Sequence, residues 1–110
     1  MKQYVIYQLR ESDYEKVLGF LDLKADKTGL EGIYWVNLPE RLYNAVQREH
    51  VQCQPHYFAV NLDFNRVAFE LLIRSRQIIR CGCIAYATPE QRDYILRFGD
   101  EMLESLGLLV

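Results

Sequence analysis

The sequence lacks any apolar segment of the roughly 20 residues that a helix needs to cross a bilayer, and it has no low-complexity tract and no internal repeat. Its first residues have the pattern of a strand rather than that of a charged and then apolar signal peptide. Of its 110 residues, 50% are hydrophobic and 25% are charged, which is the balance of a globular protein. We therefore expect one globular domain over residues 1–110, located in the cytoplasm and away from membranes.

Recognisable catalytic motifs are also missing. The sequence contains no G-x-S-x-G, no P-loop, no G-x-G-x-x-G and no H-E-x-x-H. Positive charge is not in excess, since 13 Lys and Arg residues stand against 15 Asp and Glu residues for a net charge of −2, and this balance argues against nucleic acid as a partner. These absences favour a non-catalytic protein over an enzyme.

Cysteine and histidine are scarce but concentrated. The three cysteines and two histidines fall in two clusters, His50-x-x-Cys53-x-x-His56 and Cys81-x-Cys83. Thiolate and imidazole are the donors of tetrahedral zinc sites. The candidate zinc site consists of Cys53, His56, Cys81 and Cys83, with His50 as a spare donor. The same cysteines could instead be small apolar residues of the core, because a domain of this size can fold without a cofactor.

Cys53 supports a different hypothesis as well. A cysteine nucleophile needs a neighbouring base, and Cys53 lies between His50 and His56 in a segment without a regular pattern. A thiol-dependent enzyme centred on Cys53 is therefore a further alternative. The odd number of cysteines does not suggest a disulfide framework and favours a reducing compartment.

The pattern of apolar residues predicts the element order β-α-β-α-β-β-β-α. Alternation predicts strands, helical spacing predicts helices, and the Ser12–Glu15 and Thr88–Gln91 segments are typical of capping boxes that open helices. The predicted ranges are strands 3–9, 32–37, 56–64, 66–74 and 78–87, and helices from Ser12, from Pro39 to about Glu49, and from Thr88 to Gly107, with a polar loop over 24–31. This order is typical of a two-layer α+β sandwich with a mostly antiparallel sheet.

The segment Ser75–Gln77 is expected to be a three-residue hairpin loop. That loop would pair Ile73 with Ile79, Leu71 with Cys81, Phe69 with Cys83 and Val67 with Ala85. Both cysteines would then lie on the apolar face of a strand, which favours a core role for them.

Arginines near this loop form the second candidate site. Arg74, Arg76 and Arg80 would lie at the hairpin tip, and arginine suits carboxylate and phosphate partners. The last helix is acidic, so it could pair with them within the chain or across a dimer. The apolar end of the chain, residues 106–110, is a second candidate contact surface.

The sequence therefore favours a partner-binding or regulatory module. A protein partner or self-association would use the arginine tip and the apolar end of the chain. No cofactor other than zinc is indicated.

Overall fold

The computed structural model describes residues 2–108, which form seven strands and three α-helices. The strands are β1 (Gln3–Ile6), β2 (Asp26–Lys27), β3 (Ile33–Asn37), β4 (His56–Asp63), β5 (Arg66–Glu70), β6 (Leu72–Ser75) and β7 (Ala85–Tyr86). The helices are α1 (Glu11–Lys24), α2 (Ala45–Glu49) and α3 (Pro89–Leu106), and two 3-10 turns cover Glu40–Leu42 and Val51–Cys53. The predicted α+β class is confirmed, and the element order matches apart from details given below.

The sheet is open and antiparallel, in the order β1-β5-β4-β3-β2. Strand β4 is central, since β3 runs along one edge and both β5 and β6 pair with the other. Its end at Asp63 pairs with Arg66 of β5, whereas its start at His56 pairs with Ser75 of β6. The long alternating stretch 66–75 thus forms two strands, β5 and β6, which pair with the same edge of β4 and are separated at Leu71.

Helices α1 and α3 cover one face of this sheet. Phe98 of α3 meets Phe58 of β4 and Phe69 of β5 edge to face, with ring centroids 5.8 and 6.1 Å apart. Fully buried side chains of the core include Val17, Leu21, Phe58, Val60, Val67, Phe69, Ile95 and Met102. Burying about ten large apolar side chains at roughly 1.5–3 kcal/mol each supplies the main stabilisation of the fold.

Helix α3 follows the sequence prediction closely. Thr88 Oγ1 accepts the Gln91 backbone N–H at 3.2 Å, and the Gln91 side chain accepts the Thr88 N–H at 3.0 Å, which confirms the capping box. Gly107 ends the helix with φ of 67°, a left-handed conformation that glycine adopts without strain. Within the described helices, none is both long and apolar enough to span a membrane.

The helix expected from Pro39 to Glu49 is wrong. A 3-10 turn comes first, and α2 begins only after Asn44, whose side chain accepts the Gln47 backbone N–H at 2.8 Å. This cap sets which face of α2 is buried, so that Gln47 is buried while Ala45 and Val46 are exposed.

The expected hairpin, in which Ile73 pairs with Ile79, is also wrong. Ser75 Oγ accepts the backbone N–H groups of Gln77 and Ile78, both at 3.1 Å, and this turn takes the chain out of the sheet. Strand β7 is only two residues long, and Ile73 pairs with Ala85 rather than with Ile79. Residues 78–84, expected to form a strand, are irregular.

Smaller corrections concern the ends of other elements. The first strand stops at Ile6 rather than at residue 9, and Gln8 has φ of 61°. The loop predicted over 24–31 contains the short strand β2. Strand β4 ends before Phe64, whose side chain is exposed in the turn to β5.

Candidate metal centre

His50 and Cys53 are positioned by the end of α2 and the 3-10 turn that follows. The His50 backbone N–H donates to the Val46 carbonyl at 3.1 Å, which makes His50 the last residue of the helical turn. The Cys53 N–H then donates to the His50 carbonyl at 2.9 Å. This tight turn brings two side chains three residues apart to the same side of the chain.

Cys81 and Cys83 come from the irregular segment between β6 and β7. The Ile84 N–H donates to the Cys81 carbonyl at 3.1 Å, so the two cysteines sit in a single turn. Cys83 is buried and Cys81 is half-buried, and all three cysteines of the chain are free thiols.

These two turns meet and bring four donor atoms together. One donor atom from each of His50, Cys53, Cys81 and Cys83 lies within 4.8 Å of the other three. The His50 Nδ1–Cys81 Sγ distance is 3.1 Å, and the Cys53 and Cys81 Sγ atoms are 3.8 Å apart. Ligands around a tetrahedral zinc ion at about 2.0–2.3 Å would be separated by roughly 3.3–3.8 Å. The cluster could therefore hold a metal ion after small movements.

His56 occupies a different place from the one the sequence suggested. It is fully buried, its Nε2 lies 3.3 Å from Cys83 Sγ, and its backbone N–H donates to the Tyr43 hydroxyl at 3.0 Å. Its Nδ1 has no hydrogen-bond partner among the described residues. The four-donor group thus contains His50, which the sequence suggested only as a spare donor. His56 lies outside this group, with its ring in contact with Cys83.

The sequence contained a signal that His50, and not His56, belongs to the four-donor group. His56 begins β4 and has the same parity as Phe58 and Val60, so strand alternation directs it into the core. His50 instead shares a turn with Cys53, which brings its ring towards the thiols.

The electrostatics of the thiols differ sharply. The pKa of Cys81 is lowered to about 7, first by hydrogen bonds from the backbone and side chain of Cys83, and then by those from His50 and Cys53. Burial, together with the neighbouring thiols, raises the pKa of Cys83 to about 12. Burial and the nearby His50 lower the pKa of His56, so its ring is held neutral. Of these two thiols, Cys81 therefore ionises more readily than Cys83.

Backbone and hydroxyl contacts hold the end of β6 against the chain around Cys53. Ser75 Oγ donates to the Cys53 carbonyl at 2.6 Å. The Arg76 backbone N–H donates to the Pro55 carbonyl at 3.1 Å. These bonds fix the point at which the segment that carries Cys81 and Cys83 leaves the sheet.

The three candidate arginines have different surroundings in the structure. Arg74 pairs with Glu70 at 3.5 Å. Arg76 pairs with Asp26, and its guanidinium lies 5.2 Å from the ring centroid of Trp35 and 5.6 Å from that of Tyr57. Arg80 is exposed in the segment that carries the cysteines.

The pairing of these arginines with acidic residues of α3, expected from the sequence, is absent within the described chain. Asp100 of α3 instead accepts the Tyr4 hydroxyl at 2.6 Å. The apolar end of the chain folds back in part, since Leu106 and Leu108 pack against the core, whereas Leu109 and Val110 lie outside the described residues.

Cys53 does not have the surroundings of a nucleophile that attacks an external substrate. Its side chain is fully buried, and the histidine nitrogens at hydrogen-bonding distance from a thiol contact Cys81 and Cys83 instead. A nucleophile must reach its substrate as well as its base.

The chain matches no protein-family model, no curated protein and no solved structure at a significant level.

Proposed function

We propose that this protein is a zinc-binding domain in which His50, Cys53, Cys81 and Cys83 hold one zinc ion. The observation that supports the proposal is the convergence of four soft or borderline donors, from two separate turns, to within 4.8 Å of one another. Three thiolates and one imidazole are typical of structural zinc sites. Thiolate donors disfavour magnesium and calcium, which prefer oxygen.

A structural role fits the donor set better than a catalytic one. Four protein donors fill a tetrahedron and leave no position for a substrate or a water. Two of the donors, Cys53 and Cys83, are buried. Free cysteines that bind zinc also suit a reducing compartment, so we propose the cytoplasm as the location.

The metal would fasten the segment 77–84 to the turn that precedes β4. This segment has no regular secondary structure, and the strand that follows it pairs over only two residues. Its Ile79 side chain is 92% exposed. Two zinc ligands in this segment and two in the other turn would be its main tertiary attachment, because few apolar contacts hold it.

Native mass spectrometry of protein purified without chelator tests the proposal, and the two histidines provide a matched pair of variants. We expect one zinc per chain in the wild type. His50→Ala, which lacks a direct ligand, should bind zinc at least about tenfold more weakly than His56→Ala, which lacks only a contact to the ligand Cys83. A zinc-free wild type would refute the proposal. Loss of zinc in His56→Ala but not in His50→Ala would instead support the set Cys53, His56, Cys81 and Cys83.

A protein-binding role for the same segment is a second candidate. The exposed Ile79 next to the exposed Arg80 combines an apolar anchor with a free positive charge, which suits an acidic protein surface. We expect the double variant Ile79→Ser, Arg80→Ser to keep its zinc and to lose a partner captured by the wild type. The paired Arg74, changed to Ser, is the control, and equal capture by all three proteins would contradict this role.

A further inference from the structure

We propose that Cys81 and Cys53 form a peroxide-sensitive pair, in which oxidation joins the two sulfurs as a disulfide and releases the zinc ion. The release of zinc rests on the proposed function. The choice of the two cysteines rests on the distance between their sulfurs, on their burial and on the segments that carry them.

Access to solvent singles out Cys81 as the first cysteine to react. Cys53 and Cys83 have 0% and 1% of their surface exposed, whereas Cys81 is half-buried. Cys81 also lies in an irregular segment next to Gly82, which has open space around its Cα. A small oxidant such as hydrogen peroxide therefore meets the Cys81 sulfur before the others.

Geometry then selects Cys53 as the partner. Its Sγ lies 3.8 Å from Cys81 Sγ, and a disulfide requires about 2.05 Å. The two residues belong to different turns, so movement of the irregular segment can close the gap. Cys83 is a poor alternative, because it is only two residues from Cys81 and its sulfur is held against His56 at 3.3 Å.

The chemistry balances with one peroxide per pair. The Cys81 thiolate attacks one oxygen of hydrogen peroxide, the O–O bond breaks, and a sulfenic acid and hydroxide are formed. The Cys53 thiolate then attacks the sulfenic sulfur, the S–S bond forms, and a second hydroxide leaves. Two thiolates lose two electrons in total, and the peroxide is reduced to two hydroxide ions, which take up protons to become water.

Disulfide formation would remove two of the four zinc ligands. Only His50 and Cys83 would remain, and two donors do not retain zinc against water and competing chelators. The segment 77–84 would then be held by the disulfide instead of by the metal. Oxidation would therefore change the metal content while leaving the core of the domain unchanged.

The experiment uses the full chain as purified, with its zinc content first measured by native mass spectrometry. Hydrogen peroxide is added in equimolar amount, and released zinc is followed with a chromogenic chelator. Free thiols are then blocked, and the protein is digested with trypsin without reduction. Cleavage after Arg48, Arg66, Arg80 and Arg92 places Cys53 in peptide 49–66 and both other cysteines in peptide 81–92.

We expect one zinc released per disulfide, peptides 49–66 and 81–92 joined, and fragmentation that assigns the bond to Cys81 with Cys83 blocked. A thiol-based reductant should restore both thiols and zinc binding. Zinc release without a cross-link, a bond within peptide 81–92, or a bond to Cys83 would overturn the inference. A zinc-loaded chain that resists peroxide would overturn it too, whereas a chain that contains no zinc before treatment refutes the proposed function instead.

Discussion

Individual residues show how local geometry assigns chemical roles to similar side chains. His50 and His56 are equally spaced from Cys53 in the sequence. The 3-10 turn directs His50 towards Cys81, whereas strand pairing buries His56 behind Cys83. The donor set of the site is thus decided by where the helical turn ends and β4 begins.

Asp13 is a second residue whose neighbours determine its chemistry, in this case the pKa of its carboxyl group. Its carboxylate accepts the Arg10 backbone N–H at 3.0 Å and the Arg10 guanidinium at 3.1 and 3.3 Å, at the start of α1. These hydrogen bonds hold the pKa of Asp13 below its usual value. The folded state therefore favours the ionised carboxylate more than the unfolded state does.

We predict that Asp13→Asn is less stable than the wild type at neutral pH, and that this difference disappears in acid. Because the pKa of Asp13 is lowered in the folded protein, its contribution is fully present above the unfolded pKa of about 3.9 and is lost as the pH falls through the folded value. Urea unfolding midpoints of both proteins, measured from about pH 7 to about pH 2, check this. The exposed Asp93, changed to Asn, is the control, and a difference that persisted in acid would contradict the explanation.

At the scale of elements, α3 follows its sequence signals closely, whereas the capping box expected at Ser12–Glu15 is wrong. Helix α1 begins at Glu11, and Asp13 accepts the backbone N–H of its N-cap Arg10. The Thr88 cap and the Gly107 end of α3 are local features, and both are confirmed. The contact between α3 and the sheet is not local. Gly99 lies where α3 approaches Tyr4 of β1 and Phe69 of β5 closely.

We predict opposite effects of Gly→Ala in two helices. A Cβ at Gly99 would lie 3.0 Å from both Tyr4 Cε2 and Phe69 Cε1. The two rings are stacked on each other with centroids 5.8 Å apart, so they have little room to move away from the added Cβ. Overpacking of about 1–3 kcal/mol outweighs a helix-propensity gain of up to ~1 kcal/mol, so Gly99→Ala destabilises by about 1 kcal/mol.

Gly19 in α1 is the matched control, because a Cβ there meets nothing within 4 Å. Gly19→Ala is expected to stabilise the protein by roughly 0.5–1 kcal/mol. Denaturant unfolding measures both free energies. Stabilisation by Gly99→Ala would show that the two rings move aside at little cost.

At the scale of the whole molecule, the apolar core and the proposed zinc site would be separate sources of stability. The large buried side chains lie between the sheet and the helices α1 and α3, and the core extends over all the longer elements. Two of the cysteines lie beyond the end of β6 in an irregular segment, which a bound zinc ion would fasten to the turn before β4. Loss of metal should therefore lower stability without unfolding the domain.

We predict that a strong chelator lowers the melting temperature by at least about 5 °C while the far-UV circular dichroism at 25 °C is retained. Cys53→Ser, which lacks one ligand, should melt at the lower temperature with or without chelator. An unchanged wild-type melting temperature would argue against a bound structural metal. Complete loss of helical signal at 25 °C would show that the core depends on it.

The sequence by itself determined the α+β class, the long helix α3 with both of its ends, and the central strand β4. Each depends on alternation, helical spacing or capping over neighbouring residues, which act before any distant contact forms. The grouping of cysteine and histidine also identified the residues worth testing as metal ligands.

Only the tertiary structure decided the path of residues 75–84 and the choice of His50 over His56 in the four-donor cluster. The turn at Ser75 depends on a bond from its hydroxyl to the Cys53 carbonyl, 22 residues earlier in the chain. The cluster likewise joins donors that lie about 30 residues apart, such as His50 and Cys81. Periodicity describes one segment at a time, so it cannot indicate which two turns will meet in space.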